Sequence, residues 1–535
     1  MDRPNIIIFN PDQMRADSLH HLGNRAARTD FLDEFAANDA VSFRRAFCQN
    51  PVCVPSRCSF STGLYPHVRG HRTMSYLLRR GEPTFFSELK KAGYYVWMNG
   101  RNDLLAGQDG ELFRENADEI YCGGKTSQLG PEADLRGALG DKNYYSFYAG
   151  RFSVDENGKN NCPDEEDLEA AIERIRKPPA DRPLCLFLGL LYPHPPYGVE
   201  EPYFSAIDAA LLPPRIAGSG IGKPRMESLI RERQNLFGYG EEDWDALRAC
   251  YLGMCMKVDA MFRKLCDALK EAGLYDNSLI LFFSDHGDYT GDYGLTEKAQ
   301  NTFEDCLVNV PLLIKPPQGK ADRGICGSLV ELVDVYATIM DFAKVQPSHS
   351  HFGKSLRPLL YDRSANIRDH VCCEGGRLAE EIHCDEFHSF GAEGIGRESP
   401  YWPRLSAQAD GTAHGKGVML RTKKYKYVSR LYESDELYDL EKDPHELRNL
   451  ISDKRYSRVA AQLREKTLRW LLATSDTVPY DFDSRVGYEI LWGKVKDLVP
   501  EGHEEEIRAL IGTGISLGEL KAECRKRFTE SERKV

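Results

Sequence analysis

Asn5-Ile6-Ile7-Ile8-Phe9, followed at once by Asn10-Pro11-Asp12-Gln13, is the stretch that decides the fold. Its four consecutive apolar side chains read as a short strand buried on both faces. Such a strand belongs inside a parallel sheet, and its carboxyl end delivers polar residues to a ligand crevice. The same pattern recurs outward along the chain. Thr84–Ala92 has helical spacing and stops at Gly93, Tyr94–Met98 reads as a strand, and Leu184–Leu191 is another between Pro183 and Pro193. Trp244–Ala272 is the longest helical pattern, with Leu247, Tyr251, Met254, Val258, Met261, Leu265 and Leu269 on one stripe. Ser278–Ser284 and Val310–Ile314 follow as strands. Strands alternating with helices predict an α/β fold: a large, mostly parallel sheet sandwiched by helices.

Beyond about residue 360 the style changes. Gly417–Arg421 and Tyr425–Leu431 read as short strands joined by a basic turn, and a helix fits Tyr456–Ala473. The expected organisation is an α/β domain over 1–360, a smaller C-terminal α+β domain with a small antiparallel sheet over 361–475, and an extension over 476–535. Homo-oligomerisation through that extension is a further expectation.

The chain has 535 residues and a formal net charge of −12. That length excludes a single small module, and the acid excess argues against nucleic acid as the partner. No apolar run reaches the roughly 20 residues needed to cross a membrane. The start, Met1-Asp2-Arg3-Pro4-Asn5, lacks a cleavable leader pattern, so a cytoplasmic location is expected. The fifteen cysteines are odd in number and form no CxxC pair, which reads as reduced thiols and not as a disulfide framework or a zinc site.

Three strand ends carry the candidate chemistry: Asp12-Gln13 after the first, Tyr192-Pro193-His194-Pro195-Pro196-Tyr197 after the third, and Ser284-Asp285-His286-Gly287 after the fourth. Asp12, Asp285 and His286 suit a hard divalent cation, with Gln13 as a neutral oxygen ligand. Asp288 and Asp292, in the Gly-containing loop beyond, are expected to be solvated turn residues. The densest signal is Pro51-Val52-Cys53-Val54-Pro55-Ser56-Arg57-Cys58-Ser59-Phe60-Ser61-Thr62-Gly63. Pro55 ends an extended segment and Ser56 caps a helix on this reading. Cys53 is then either a low-pKa thiolate nucleophile near Arg57 or a buried Cys beside a capped helix.

Cys53-Val54-Pro55-Ser56-Arg57 with Ser61-Thr62-Gly63 and Tyr65-Pro66-His67 resembles the signature of the type I sulfatases of the alkaline phosphatase superfamily. Asp12-Gln13, Tyr192–Tyr197 and Ser284–Gly287 are similar to that family's metal and Pro-His motifs. Lys298 before Val310–Ile314, and Glu436–Leu440 with Asp443-Pro444 and Asn449-Leu450, are similar to its active-site lysine and C-terminal signature. The resemblance implies an alkaline-phosphatase-like fold and a Cys53 oxidised to 3-oxoalanine (formylglycine) by a sulfatase-maturating enzyme. It implies Ca²⁺, with Mg²⁺ or Mn²⁺ as alternatives, held by Asp12, Asp285, His286 and the modified Cys53, with help from Gln13. Arg57 would orient the hydrate, and Lys298 and His194 would contact the sulfate, His194 protonating the departing alcohol.

One segment departs from the family. Gly100-Arg101-Asn102-Asp103 stands where many members carry Gly-Lys-x-His. Arg101 keeps a cation in a planar fork, while Asp103 is either the base for sulfate elimination or a ligand for a cationic substrate group. His71 is another candidate near the nucleophile, and Arg397, Tyr401, Trp402 and Arg404 form a candidate cluster for a sugar or an anionic substituent. The expected activity is hydrolysis of the sulfate ester of a carbohydrate or small metabolite. A phosphonate monoester or phosphodiester hydrolase on the same fold is the rival. A non-catalytic sulfated-sugar binding protein with unmodified Cys53 is the alternative of another class.

Overall fold

A computed structural model describes residues 3–123, 127–216, 218, 220–389, 394–479 and 487–528. In chain order the strands are β1 (Asn5–Asn10), β2 (Val41–Phe47), β3 (Tyr95–Asn99), β4 (Glu119–Tyr121), β5 (Tyr148–Arg151), β6 (Leu184–Gly189), β7 (Tyr197–Val199) and β8 (Ser278–Phe283). They continue with β9 (Asn309–Val310), β10 (Leu312–Lys315), β11 (Gly324–Glu331), β12 (Val371–Gly375), β13 (Gly417–Arg421), β14 (Tyr425–Arg430) and β15 (Glu436–Asp439).

The main sheet runs β11-β2-β10-β8-β1-β6-β3-β4, with β9 paired to β2. Its centre is β1, parallel to both β6 and β8, with Ile7 opposite Leu186 on one side and Ile280 on the other. Side chains alternate across it. Ile6 and Ile8 enter one apolar core and Ile7 and Phe9 the other, which is why the run carries no polar residue. Each such side chain, fully buried, contributes about 1.5–3 kcal/mol. The helix Glu241–Glu271 covers the second face through Leu247, Tyr251, Met254, Val258, Met261, Leu265 and Leu269, the stripe legible in the sequence. The helices Cys53–Thr62 and Val333–Ala343 cover the first.

Two details differ from the sequence reading. Val310–Ile314 is split at Pro311 into β9 and β10, and β10 runs antiparallel to both β2 and β8. A proline cannot donate to a ladder, so the strand breaks there. Strand β2 was not legible, because Arg44-Arg45 interrupts its apolar pattern where the strand surfaces.

A four-stranded antiparallel sheet, β12-β13-β14-β15, supplies the smaller C-terminal layer. By internal packing, residues 1–345 and 351–475 form one compact unit. The other comprises residues 346–350 and 476–535, in which the helices Tyr488–Val495, Glu504–Gly512 and Leu517–Arg527 enclose Val495, Ile507, Ile511, Leu520 and Cys524. All fifteen cysteines are free. Among the described residues no helix is long and apolar enough to cross a membrane.

Candidate active site

The strand ends of β1, β6 and β8 converge as their register requires. The β1 end is fixed by Asn10 Nδ2 donating to Phe283 O at 2.7 Å and by Asp12 N donating to Tyr192 O at 3.3 Å. The fourth contributor is the helix Cys53–Thr62. It begins at Cys53, after Asn50 Oδ1 accepts from Val52 N at 3.2 Å, and Pro55 lies in its first turn, where a missing N–H breaks no helical bond. Ser56 therefore does not cap the helix. It lies inside and donates to Asp285 O at 2.6 Å, pinning the helix start to the β8 end.

Candidate ligand atoms of Asp12, Cys53, Asp285 and His286 all lie within 4.8 Å of one another, and all four residues are buried. Arg57 takes the outer oxygens of both carboxylates, Nη2 reaching Asp12 Oδ2 at 2.9 Å and Nε reaching Asp285 Oδ2 at 2.7 Å. Asp12 Oδ1 is left facing the cluster, 3.5 Å from Cys53 Sγ, while Asp285 Oδ1 accepts from Gln13 N at 3.1 Å and His286 N at 2.9 Å. His286 Nδ1 donates to Gly287 O at 2.9 Å, so its Nε2 lone pair points inward, 3.1 Å from Cys53 Sγ and 3.6 Å from Asp12 Oδ1. Two carboxylate oxygens and a neutral imidazole suit a divalent cation. Burial raises the Asp12 pKa, but Arg57 and its neighbours outweigh it and hold the carboxyl far below the usual range. For Cys53, burial and the Asp12 charge both push the thiol pKa up. The unmodified residue is thus a buried thiol and not a low-pKa thiolate.

Lys298 forms the other wall. Its Nζ donates to Gln13 Oε1 at 2.7 Å and to His194 Nε2 at 3.0 Å, and pairs with Glu297 at 2.7 Å. Gln13 is therefore turned to Lys298, and its amide Nε2 donates to Asp288 Oδ2 at 2.5 Å. Burial and then the Lys298 charge push the His194 imidazole down to about 3. Glu297 bridges Lys298 and Arg404, whose Nη1 is 3.1 Å away; burial would raise its pKa, but Arg404 and Lys298 lower it to about 2.

Other residues fall in different places. Arg101 Nη2 reaches Asp12 Oδ2 at 3.2 Å, within the site. Asp103 is half-buried beside it. His71 is held away from the cluster, Nδ1 on Tyr76 O at 2.9 Å and Nε2 3.0 Å from Glu82. Arg397 lies 5.2 Å over the Trp402 ring, which stacks on Tyr145; neither has a contact with the Cys53 cluster among the described residues. Asp288 and Asp292 are buried, not solvated. Asp288 accepts from Tyr197 Oη at 2.8 Å, and Asp292 pairs with Arg15 at 2.7 Å, because the loop folds under the site.

Sequence reasoning missed Asp164. It is buried at the start of the helix Pro163–Arg176 and accepts from Leu191 N at 2.8 Å and Tyr192 N at 2.7 Å, fixing the loop that carries His194. Nothing local marks it, since Pro-Asp-Glu-Glu reads as an ordinary helix N-terminus.

The family model described as sulfatase matches residues 4–345, and one described as N-sulphoglucosamine sulphohydrolase, C-terminal, matches 408–471. The chain belongs to the sulfatase family. This sulfatase is a sulfuric ester hydrolase of the alkaline phosphatase superfamily. It is 27% identical over 500 residues to an arylsulfatase of Clostridium perfringens, covering 88% of this chain and 94% of that one. A choline-sulfatase of Rhizobium meliloti is 26% identical over 476 residues, covering 85% and 83%. In fold, the sulfatase is similar to a phosphonate monoester hydrolase of Agrobacterium radiobacter, with TM-score 0.68, 23% identity and coverage of 89% and 97%. It is also similar in fold to a chain solved with D-glucosamine-2-N,6-O-disulfate as substrate, with TM-score 0.63, 17% identity and coverage of 87% and 98%.

Proposed function

We propose that this sulfatase hydrolyses the sulfate ester of a carbohydrate or small metabolite to alcohol and sulfate, with Cys53 oxidised to formylglycine and its hydrate as nucleophile. The observation carrying this reading is the meeting of Cys53 with Asp12, Asp285 and His286 inside 4.8 Å. Asp12, Asp285 and His286 would hold the cation, Ca²⁺ first and Mg²⁺ or Mn²⁺ as alternatives. When bound, it would lower the pKa of the hydrate and withdraw charge from the sulfuryl oxygens. Arg57, fixed by two carboxylates, keeps a positive charge beside residue 53. Lys298 offers a buried ammonium to sulfuryl oxygens as charge develops. His194 is neutral and its Nε2 accepts from Lys298 Nζ, so the proton for the departing alcohol comes from that ammonium.

The proposal includes a maturating enzyme that oxidises Cys53, a cytoplasmic location, and homo-oligomerisation through 476–535. The sulfate reading is tested by turnover of an aryl sulfate against an aryl phosphonate, with peptide mass spectrometry of residue 53. Loss of SH₂ and gain of O at Cys53, with faster sulfate cleavage, is expected. Faster phosphonate cleavage by the matured chain would instead favour the phosphonate hydrolase reading. Cys53→Ala should lower turnover by more than about 10³-fold, with the thermal transition nearly unchanged.

A further inference from the structure

Asp103 stands out because the charged side chains around it form ion pairs and it forms none with a described residue. Asp12, Asp285, Glu297, Arg57, Arg101, Lys298 and Arg404 are all engaged in ion pairs. Asp103 makes no hydrogen bond or ion pair to a described residue, although it is half-buried. Its oxygens are not among the buried unpartnered atoms, so the carboxylate is open to solvent and free to accept from a group on a bound ester.

The turn that carries it is rigid. Arg57 Nη1 donates to Asn102 O at 3.3 Å, and Asn102 Oδ1 accepts from Leu104 N at 3.0 Å and Leu105 N at 2.8 Å. Gly100 N donates to Tyr121 O at 2.7 Å. At Gly189 a Cβ would stand 2.3 Å from Arg101 O, so the β6 end makes room for the turn. Asp103 itself has φ +47°, the left-handed region that a side-chain-bearing residue occupies at a cost. Tight fixation and backbone strain present one unpaired carboxylate beside Arg101, and its charge is felt at Cys53 and Arg57.

A carboxylate there repels the sulfate group, so its favourable partner is a donor on the rest of the ester. We infer that Asp103 is a substrate-recognition residue, accepting a hydrogen bond from a hydroxyl or ammonium group on the alcohol portion of the sulfate ester. This rests on the sulfate-ester reading above. A substrate without such a donor covers Asp103 without pairing it, whereas a sugar or amino alcohol pairs it.

The test compares kcat/KM for 4-nitrophenyl sulfate, glucose 6-sulfate and glucosamine 6-sulfate in the matured wild type, Asp103→Asn and Asp103→Gly. Glycine accepts the left-handed backbone, so it keeps the turn even if Asn disturbs it. The sugar-to-aryl ratio should fall about 10- to 100-fold in both variants, mainly through KM. A fall for both sugars identifies a hydroxyl, and a fall for glucosamine alone identifies the ammonium. An unchanged ratio overturns the inference, whether all three substrates lose equally, as for a group serving the common chemistry, or none loses. If the matured wild type cleaves no sulfate ester, the failure lies with the sulfate-ester reading itself.

Discussion

Lys298 Nζ donates to His194 Nε2 at 3.0 Å, while His194 Nδ1 is already committed to Pro195 O at 2.6 Å. The imidazole is therefore held as the Nδ1–H tautomer, with its lone pair on the lysine. Removing the ammonium removes the charge that opposes a second proton on the ring. Lys298→Met should raise the His194 pKa from about 3, read by NMR titration, and lower kcat about 10²- to 10³-fold. An unmoved imidazole pKa would contradict the electrostatic coupling.

The Asp12–Asp285–His286 cluster makes a second prediction, independent of turnover. Adding Ca²⁺ at about 100 times its Kd to chelator-stripped protein should stabilise it by about 2.7 kcal/mol, seen as a rise in denaturation midpoint. Asp285→Ala should abolish that rise. A midpoint that responds equally in the variant would place the cation elsewhere.

Asp164 acts through backbone and not through substrate. Asp164→Asn keeps one acceptor oxygen and leaves the other N–H of the Leu191–Tyr192 pair without a carboxylate. Stability should fall by about 1–3 kcal/mol, and kcat should drop more than KM changes, because His194 is misplaced. A stability loss with wild-type kcat would show that the loop holds His194 without this residue.

Acid sensitivity follows in part from two buried neutral histidines besides His286, which burial also pushes down. His194 and His414 are both pushed down to about 3, burial being the largest cause in each and cationic neighbours, Lys298 and Arg377, the next. As pH falls below about 6.5 the unfolded chain takes up these protons and the folded one does not. Stability should therefore decline from pH 6.5 toward 3, by up to about 1.4 kcal/mol per pH unit for each histidine. His414→Gln, which can still meet Arg377 and Gln300, should make the decline shallower by about one proton between pH 4 and 6. Urea midpoints across that range check it, and an unchanged slope would remove His414 from the account.

Local patterning is the part of this fold that the amino-acid order carries. Four apolar residues in a row fixed β1 as a doubly buried strand, and Thr84 and Gly93 bracketed the observed helix Phe85–Lys91. The residues just after the strands identified Asp12, His194, Asp285 and His286, because sheet polarity puts every parallel strand's carboxyl end on one edge. Motif order then carried the family.

Tertiary structure decided which of these groups meet and in what state. Gln13 and Lys298 are joined across 285 positions of chain, and Asp164 holds a loop 27 residues away. Asp288 and Asp292 have the composition of a solvated turn, yet the fold buries them and supplies their partners. The chain direction of β10, the raised Cys53 thiol and the unpaired Asp103 depend likewise on strand order and burial. Local pattern specifies backbone geometry and which face is apolar, whereas desolvation and charge pairing arise only when distant segments close around the same few ångströms.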